Sequence, residues 1–107
     1  METKKEETQK GPPKTSRIHA IIHGRVQGVF FRAFTQQNAH RLNLKGWVRN
    51  RADGTVEVVA EGLTDDLIEF ERSLNAGPPG SRVDKVELTK EVSTGEFEYF
   101  IIKPTLW

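Results

Sequence analysis

KGWVRNRADGTVEVVAEG, residues 45–62, decides the topology of this chain. Val48 and Asn50 alternate with Trp47, Arg49 and Arg51, and Val56, Val58 and Ala60 share one face of the following run. A period of two marks strands with one buried face. Between the runs, Asp53-Gly54 is a tight-turn signal: glycine accepts a positive φ, and aspartate folds its side chain onto nearby backbone. The segment reads as a β-hairpin, and the residues flanking Asp53-Gly54 can lengthen its loop.

Each arm outside the hairpin holds one helix and at least one strand. Upstream, RIHAIIHG (17–24) places Ile18, Ala20 and Ile22 on one face and His19, Ile21 and His23 on the other. FRAFTQQNAHRLN (31–43) sets Phe31, Phe34, Ala39 and Leu42 on one side of a helical wheel. Asn43 stands where a left-handed residue ends a helix. Downstream, Thr64 reads as an N-cap, with Asp65 and Asp66 near the positive end of the helix dipole. Leu63, Leu67, Phe70 and Leu74 have helical spacing, and Gly77-Pro78-Pro79-Gly80 ends that helix. RVDKVELTKEV (82–92), with Val86 and Leu88 in phase, and FEYFIIKP (97–104) read as strands. Phe30, Phe31 and Phe34 are expected in the core, and Phe100, Ile101 and Ile102 are expected to bury the last strand.

The order is β-α-β-β-α-β plus a C-terminal strand. Two right-handed crossovers joined by a hairpin predict an α+β, ferredoxin-like α/β sandwich with both helices on one face of an antiparallel sheet. This architecture hosts electron carriers, RNA binders, regulators and hydrolases, so function must come from the site.

Composition narrows the classes. The chain has 107 residues, which suits one domain, with 36% hydrophobic and 29% charged residues. A net charge of +1 gives no field that argues for nucleic acid or a membrane surface. With no cysteine there is no disulfide, thiolate metal site or cysteine nucleophile. No stretch approaches the ~18 apolar residues of a membrane span. METKKEETQKGPPKTS (1–16) is polar, interrupted by Gly11, Pro12 and Pro13, and lacks an apolar leader. It reads as a disordered tail before a domain spanning 17–107, and the expected location is the cytoplasm.

The chemistry concentrates between the first strand and the first helix, in GRVQGV (24–29). A helix N-terminus offers free N–H groups and partial positive charge, and glycines let the backbone curl around an anion. Arg32, in the first helical turn, carries a planar fork that matches two phosphate oxygens. No Gly-Lys-Ser/Thr follows, so this is not a nucleotide P-loop, and Gly24 and Gly28 do not fit the dinucleotide fingerprint. A phosphate held here would be attacked most simply by water. Asn50 either begins the hairpin turn or points its amide at the loop to orient that water. His23 precedes the loop and could serve as a base, or could face solvent at a strand end. The three histidines show no metal-ligand spacing.

GRVQGVFFR (24–32) together with KGWVRNRADGTVEVVAEG resembles the acylphosphatases, and the likeness covers roughly residues 17–103. The resemblance implies metal-independent hydrolysis of the carboxyl–phosphate bond of small acyl phosphates, with no cofactor. Arg32 would bind the phosphoryl oxygens and Asn50 would position the water. Backbone N–H groups of Gln27, Gly28, Val29 and Phe30 would complete the cradle, supported by Gly24, Arg25 and Val26. The side chains of Arg25 and Gln27 are read as solvated or structural. The substrate's own phosphate would take the proton. The chain end, Trp107, would be a candidate to orient Arg32. The expected partner is a small acyl phosphate, with no nucleic acid and no membrane, and the expected state is a monomer. Acetyl phosphate, carbamoyl phosphate, 1,3-bisphosphoglycerate and acylated protein aspartates share the mixed anhydride. One alternative is a non-catalytic module that binds phosphate or carbamoyl phosphate. Another is an RNA-binding domain, which would need aromatic stacking residues on the two central strands.

Overall fold

The computed structural model describes residues 14–107. Its elements are β1 (Thr15–Arg25), α1 (Phe31–Arg41), β2 (Lys45–Asn50), β3 (Val56–Leu63), α2 (Thr64–Ala76), β4 (Arg82–Glu91) and β5 (Phe100–Ile102). The sheet order is β4-β1-β3-β2-β5. The first four strands pair antiparallel, as the hairpin-and-crossover reading requires. The fifth departs from it, since β5 runs parallel to β2 through Gly46↔Phe100 and Val48↔Ile102. The fold is a ferredoxin-like α+β sandwich, with both helices on one face of the sheet.

One sheet face supplies the core. Ile18, Ala20 and Ile22 of β1, Val48 of β2, Val56, Val58 and Ala60 of β3 and Phe100 of β5 are all buried there. Phe31 and Ala39 of α1 and Leu67, Phe70 and Leu74 of α2 close over them. The last turn of α1 ends as Asn43 suggested. Its φ is 57°, Leu44 N–H donates to Ala39 C=O and Asn43 N–H donates to His40 C=O. This bond pair is the Schellman pattern.

Several local expectations are corrected. β1 begins at Thr15, pairing with Leu63, so two residues assigned to the tail belong to the sheet. The rest of that tail, residues 1–13, lies outside the described residues. Thr64 is the first residue of α2 and does not cap it; its hydroxyl meets Ser16 Oγ at 2.6 Å, and Leu63 occupies the cap position and is exposed. On α1, Thr35 is fully buried in place of Phe34 and donates its hydroxyl to Phe31 C=O at 2.8 Å. Phe30 is not core, being 84% exposed. Phe97–Tyr99 lie outside any strand, and Ile101 and Ile102 are exposed because β5 is the sheet edge. Only Phe100 of that strand is buried.

Candidate active site

Arg32, Asn50 and the loop between β1 and α1 meet at one end of the sheet. The loop leaves β1 through an irregularity in the β1–β4 register between His23 and Gly24. Gly24 has φ 131°, and a Cβ there would stand 2.1 Å from Arg82 C=O, so only glycine lets the strand turn this close to β4. Val26 drops into the core with 1% exposure and fixes the loop from below. Gln27 fixes it from the side. Its amide donates to Arg51 C=O at 2.8 Å and to Thr55 C=O at 2.9 Å, tying the loop to the hairpin. The structural reading of the Gln27 side chain is the one the geometry gives. Arg25 is exposed.

The hairpin end is itself well braced. Gly54 N–H donates to Arg51 C=O and Arg51 N–H to Thr55 C=O, leaving a three-residue loop, Ala52-Asp53-Gly54. The Asp53 carboxylate accepts from the Thr55 hydroxyl at 2.6 Å and the Thr55 N–H at 3.0 Å. Those two bonds, the hydroxyl first, hold its carboxyl below the usual carboxylate range. Gln27 therefore docks on a rigid platform, and Asn50 stands at the end of β2 that the platform steadies.

Asn50 shares the sheet face of Val48. Its Oδ1 is buried and finds no hydrogen-bond partner among the described residues. Burying a carbonyl oxygen without a donor is costly, and a site that persists with one is matched to something else. Arg32 is partly buried in the first turn of α1. Arg17, Arg41, Arg49, Arg51 and Arg82 each sit beside a carboxylate, whereas Arg25, Arg32 and Arg72 have no such partner among the described residues, and of these three Arg32 is the one beside Asn50 in the cavity described next. Among those residues, too, the N–H groups of Gln27, Gly28, Val29 and Phe30 meet no acceptor; the first bond into α1 runs from Phe34 N–H to Phe30 C=O. Gly28, Phe30, Arg32 and Asn50 line one cavity of about 370 Å³. Among the described residues a guanidinium, loop amides and an amide oxygen without partners lie in or beside this one small space, which suits a tetrahedral anion with a water next to it.

The other candidates stand apart from this cavity. His23 Nε2 is buried and makes no well-aligned hydrogen bond among the described residues, but it lies 3.0 Å from the Glu87 carboxylate of β4, which meets it as an ion pair when the ring is protonated; His19 Nε2 lies 2.7 Å from the carboxylate of Glu57. His40 bonds Phe100 C=O. No group of three or more histidine or carboxylate side chains among the described residues is arranged to hold a metal. No helix among them is long and apolar enough to cross a membrane. The chain end does approach the site. Leu106 N–H donates to Asn50 C=O and Ala52 N–H to Leu106 C=O, but Trp107 is 90% exposed and forms no ion pair with Arg32. Sequence reasoning missed Ile102, Phe31 and Ala33 as cavity lining. The period of two in Phe100-Ile101-Ile102 holds the signal, since Ile102 pairs with Val48 on the Asn50 face.

Comparison with known proteins identifies the family. The Acylphosphatase family model matches residues 18–102. An acylphosphatase of Pyrobaculum aerophilum is 48% identical over 92 residues, covering 85% of this chain and 97% of its own. The crystal structure of acylphosphatase from Bacillus subtilis superposes with a TM-score of 0.80 at 40% identity, covering 82% of this chain and 98% of that one. Full-length HypF in its phosphate- and nucleotide-bound form gives 0.80 at 31% identity, covering 92% of this chain but 13% of that one. The chain belongs to the acylphosphatase family.

Proposed function

We propose that this acylphosphatase hydrolyses small acyl phosphates by direct attack of water on phosphorus, with Arg32 and Asn50 as its two catalytic side chains. Water forms a new P–O bond while the bond from phosphorus to the carboxyl oxygen breaks. The acyl phosphate dianion and water become a carboxylate and dihydrogen phosphate, both water protons ending on phosphate oxygens. Arg32 holds two phosphoryl oxygens through its fork, and the N–H groups from Gln27 to Phe30 hold the others. Asn50 Oδ1 accepts from the attacking water and fixes its line of approach. A carboxylate is a good leaving group, so positioning and charge stabilisation carry the rate without a strong protein base.

The observation that carries this reading is the shared cavity of Arg32 and Asn50, in which, among the described residues, the first has no carboxylate partner and the buried oxygen of the second has no donor. The deciding experiment is hydrolysis of benzoyl phosphate in EDTA by the parent and by Arg32→Ala. The expected result is turnover by the parent and a loss of about a hundredfold or more in the variant, the scale for removing one transition-state charge stabiliser. Full turnover by Arg32→Ala would sink the assignment. A folded parent that binds phosphate but does not turn over would make the chain the binding module instead. We further place the enzyme in the cytoplasm as a monomer. Acyl phosphates form where nucleoside triphosphates are abundant, and one copy of the chain supplies every group assigned above. Sedimentation of the purified protein tests the second point.

A further inference from the structure

Phe30 is a large apolar side chain placed where the fold gives it nothing to pack on. It is 84% exposed and adopts φ 62°, ψ 26°, a left-handed conformation that bulky side chains seldom take. It makes no side-chain cap for α1. What it does instead is line the cavity that holds Arg32 and Asn50. Ile102 lines the same cavity from β5, 38% exposed, and Ala33 adds apolar surface from α1 beside the buried Phe31. Among the lining residues Arg32 is the one that carries charge, and the proposed function commits it to phosphate. The remaining wall offers a second ionic group nothing to pair with, and offers an apolar group a ring and a branched alkyl chain.

We infer that Phe30 and Ile102 form an acyl-group subsite that selects substrates with aromatic or branched alkyl acyl groups over acetyl, carbamoyl and carboxylate-bearing ones. This rests on the acylphosphatase reading of the same cavity and adds the substrate class to it. The phosphoryl group goes to the loop and Arg32; the acyl group then extends toward the open mouth, where Phe30 and Ile102 stand exposed. Burying an apolar acyl group against them removes water from both surfaces. A phenyl acyl group gains the ring–ring contact as well.

The test measures kcat/KM for benzoyl phosphate and acetyl phosphate with the parent, Phe30→Asn and Ile102→Ala. Asparagine tolerates the left-handed conformation, so Phe30→Asn removes the ring while keeping the backbone amide in place. The ratio of the two substrates cancels any change in phosphate binding common to both. The expected result is a benzoyl-to-acetyl ratio that falls about tenfold in Phe30→Asn and by a smaller factor in Ile102→Ala, carried by KM, and that Phe30→Leu partly restores. A fall beyond twofold in either of the first two variants supports the subsite. Ratios within twofold of the parent in both overturn it, while turnover of both substrates by the parent leaves the acylphosphatase reading standing. A parent that hydrolyses neither substrate removes that reading and the subsite with it.

Discussion

Asn50 carries a local cost that the proposed function accounts for. Its amide oxygen is buried without a donor, a state that costs on the order of 1–3 kcal/mol in a protein interior. Alanine would remove that oxygen together with its cost. Asn50→Ala should therefore melt at the parent temperature or above it, while kcat falls by about a hundredfold, if orienting water is its role. Phosphate affinity should survive, because Arg32 and the loop amides remain. Thermal melts, kcat and phosphate titration on one preparation check all three. A variant that melts lower and keeps its kcat would make Asn50 an ordinary structural amide. Arg32 is the converse case, a charge with no carboxylate partner among the described residues, so Arg32→Lys keeps the charge but loses the bidentate fork. It should also lose most activity.

At the scale of elements, the loop proposed to hold phosphate is tied to the hairpin through one side chain. Gln27 donates twice, to Arg51 C=O and Thr55 C=O. Each of those carbonyls also accepts a backbone N–H from the hairpin, so Gln27→Ala leaves neither orphaned. Its cost in stability should stay near 1 kcal/mol. Gln27→Glu is the harsher change, since a carboxylate would face two carbonyl oxygens with no donor between them. Activity should fall in both variants, and further in Gln27→Glu at pH 7. Equal activity in Gln27→Glu and the parent would show that the loop does not depend on this tie. The hairpin, the two helices and the four antiparallel strands were legible in the sequence, because alternation, helical spacing and the Asp-Gly and Gly-Pro-Pro-Gly signals are local. Arg32, Asn50 and the glycine loop were legible as residue types with a chemistry. What pattern reading missed depends on tertiary partners. Phe30 looks like core until the left-handed turn sends it outward. Thr64 looks like a cap until Ser16 of β1 takes its hydroxyl. FEYFIIKP reads as a full strand until only Phe100–Ile102 find β2 to pair with.

Across the whole molecule, one carboxylate joins the sheet to the segment between β4 and β5. Glu61 of β3 is 5% exposed. It accepts from Thr94 N–H at 2.9 Å, Gly95 N–H at 2.9 Å, the Thr94 hydroxyl at 2.8 Å and Arg17 Nη1 at 3.1 Å. Burial alone would raise its pKa, but these donors outweigh burial and bring it down to about 2. A folded-state pKa below the unfolded value means stability fully present above the unfolded pKa and lost as pH falls through the folded one. The window runs from about pH 4.5 down to about pH 2, and a displacement of that size corresponds to about 3 kcal/mol. Arg17 also pairs with Glu91 and Glu96, so it keeps partners when Glu61 changes. Glu61→Gln should therefore be destabilised most at pH 6, where the parent carboxylate is fully ionised. The gap should narrow toward pH 2.5, because the unfolded chain protonates Glu61 below about pH 4.5 while the fold must still hold it ionised down to about pH 2. Glu57, held low by His19 and Arg49 against its burial, titrates alike in both proteins and cancels from the comparison. Urea unfolding of parent and variant at pH 6, 4 and 2.5 reads the gap directly. A gap of the same size at all three values would mean that Glu61 holds the segment through shape rather than charge.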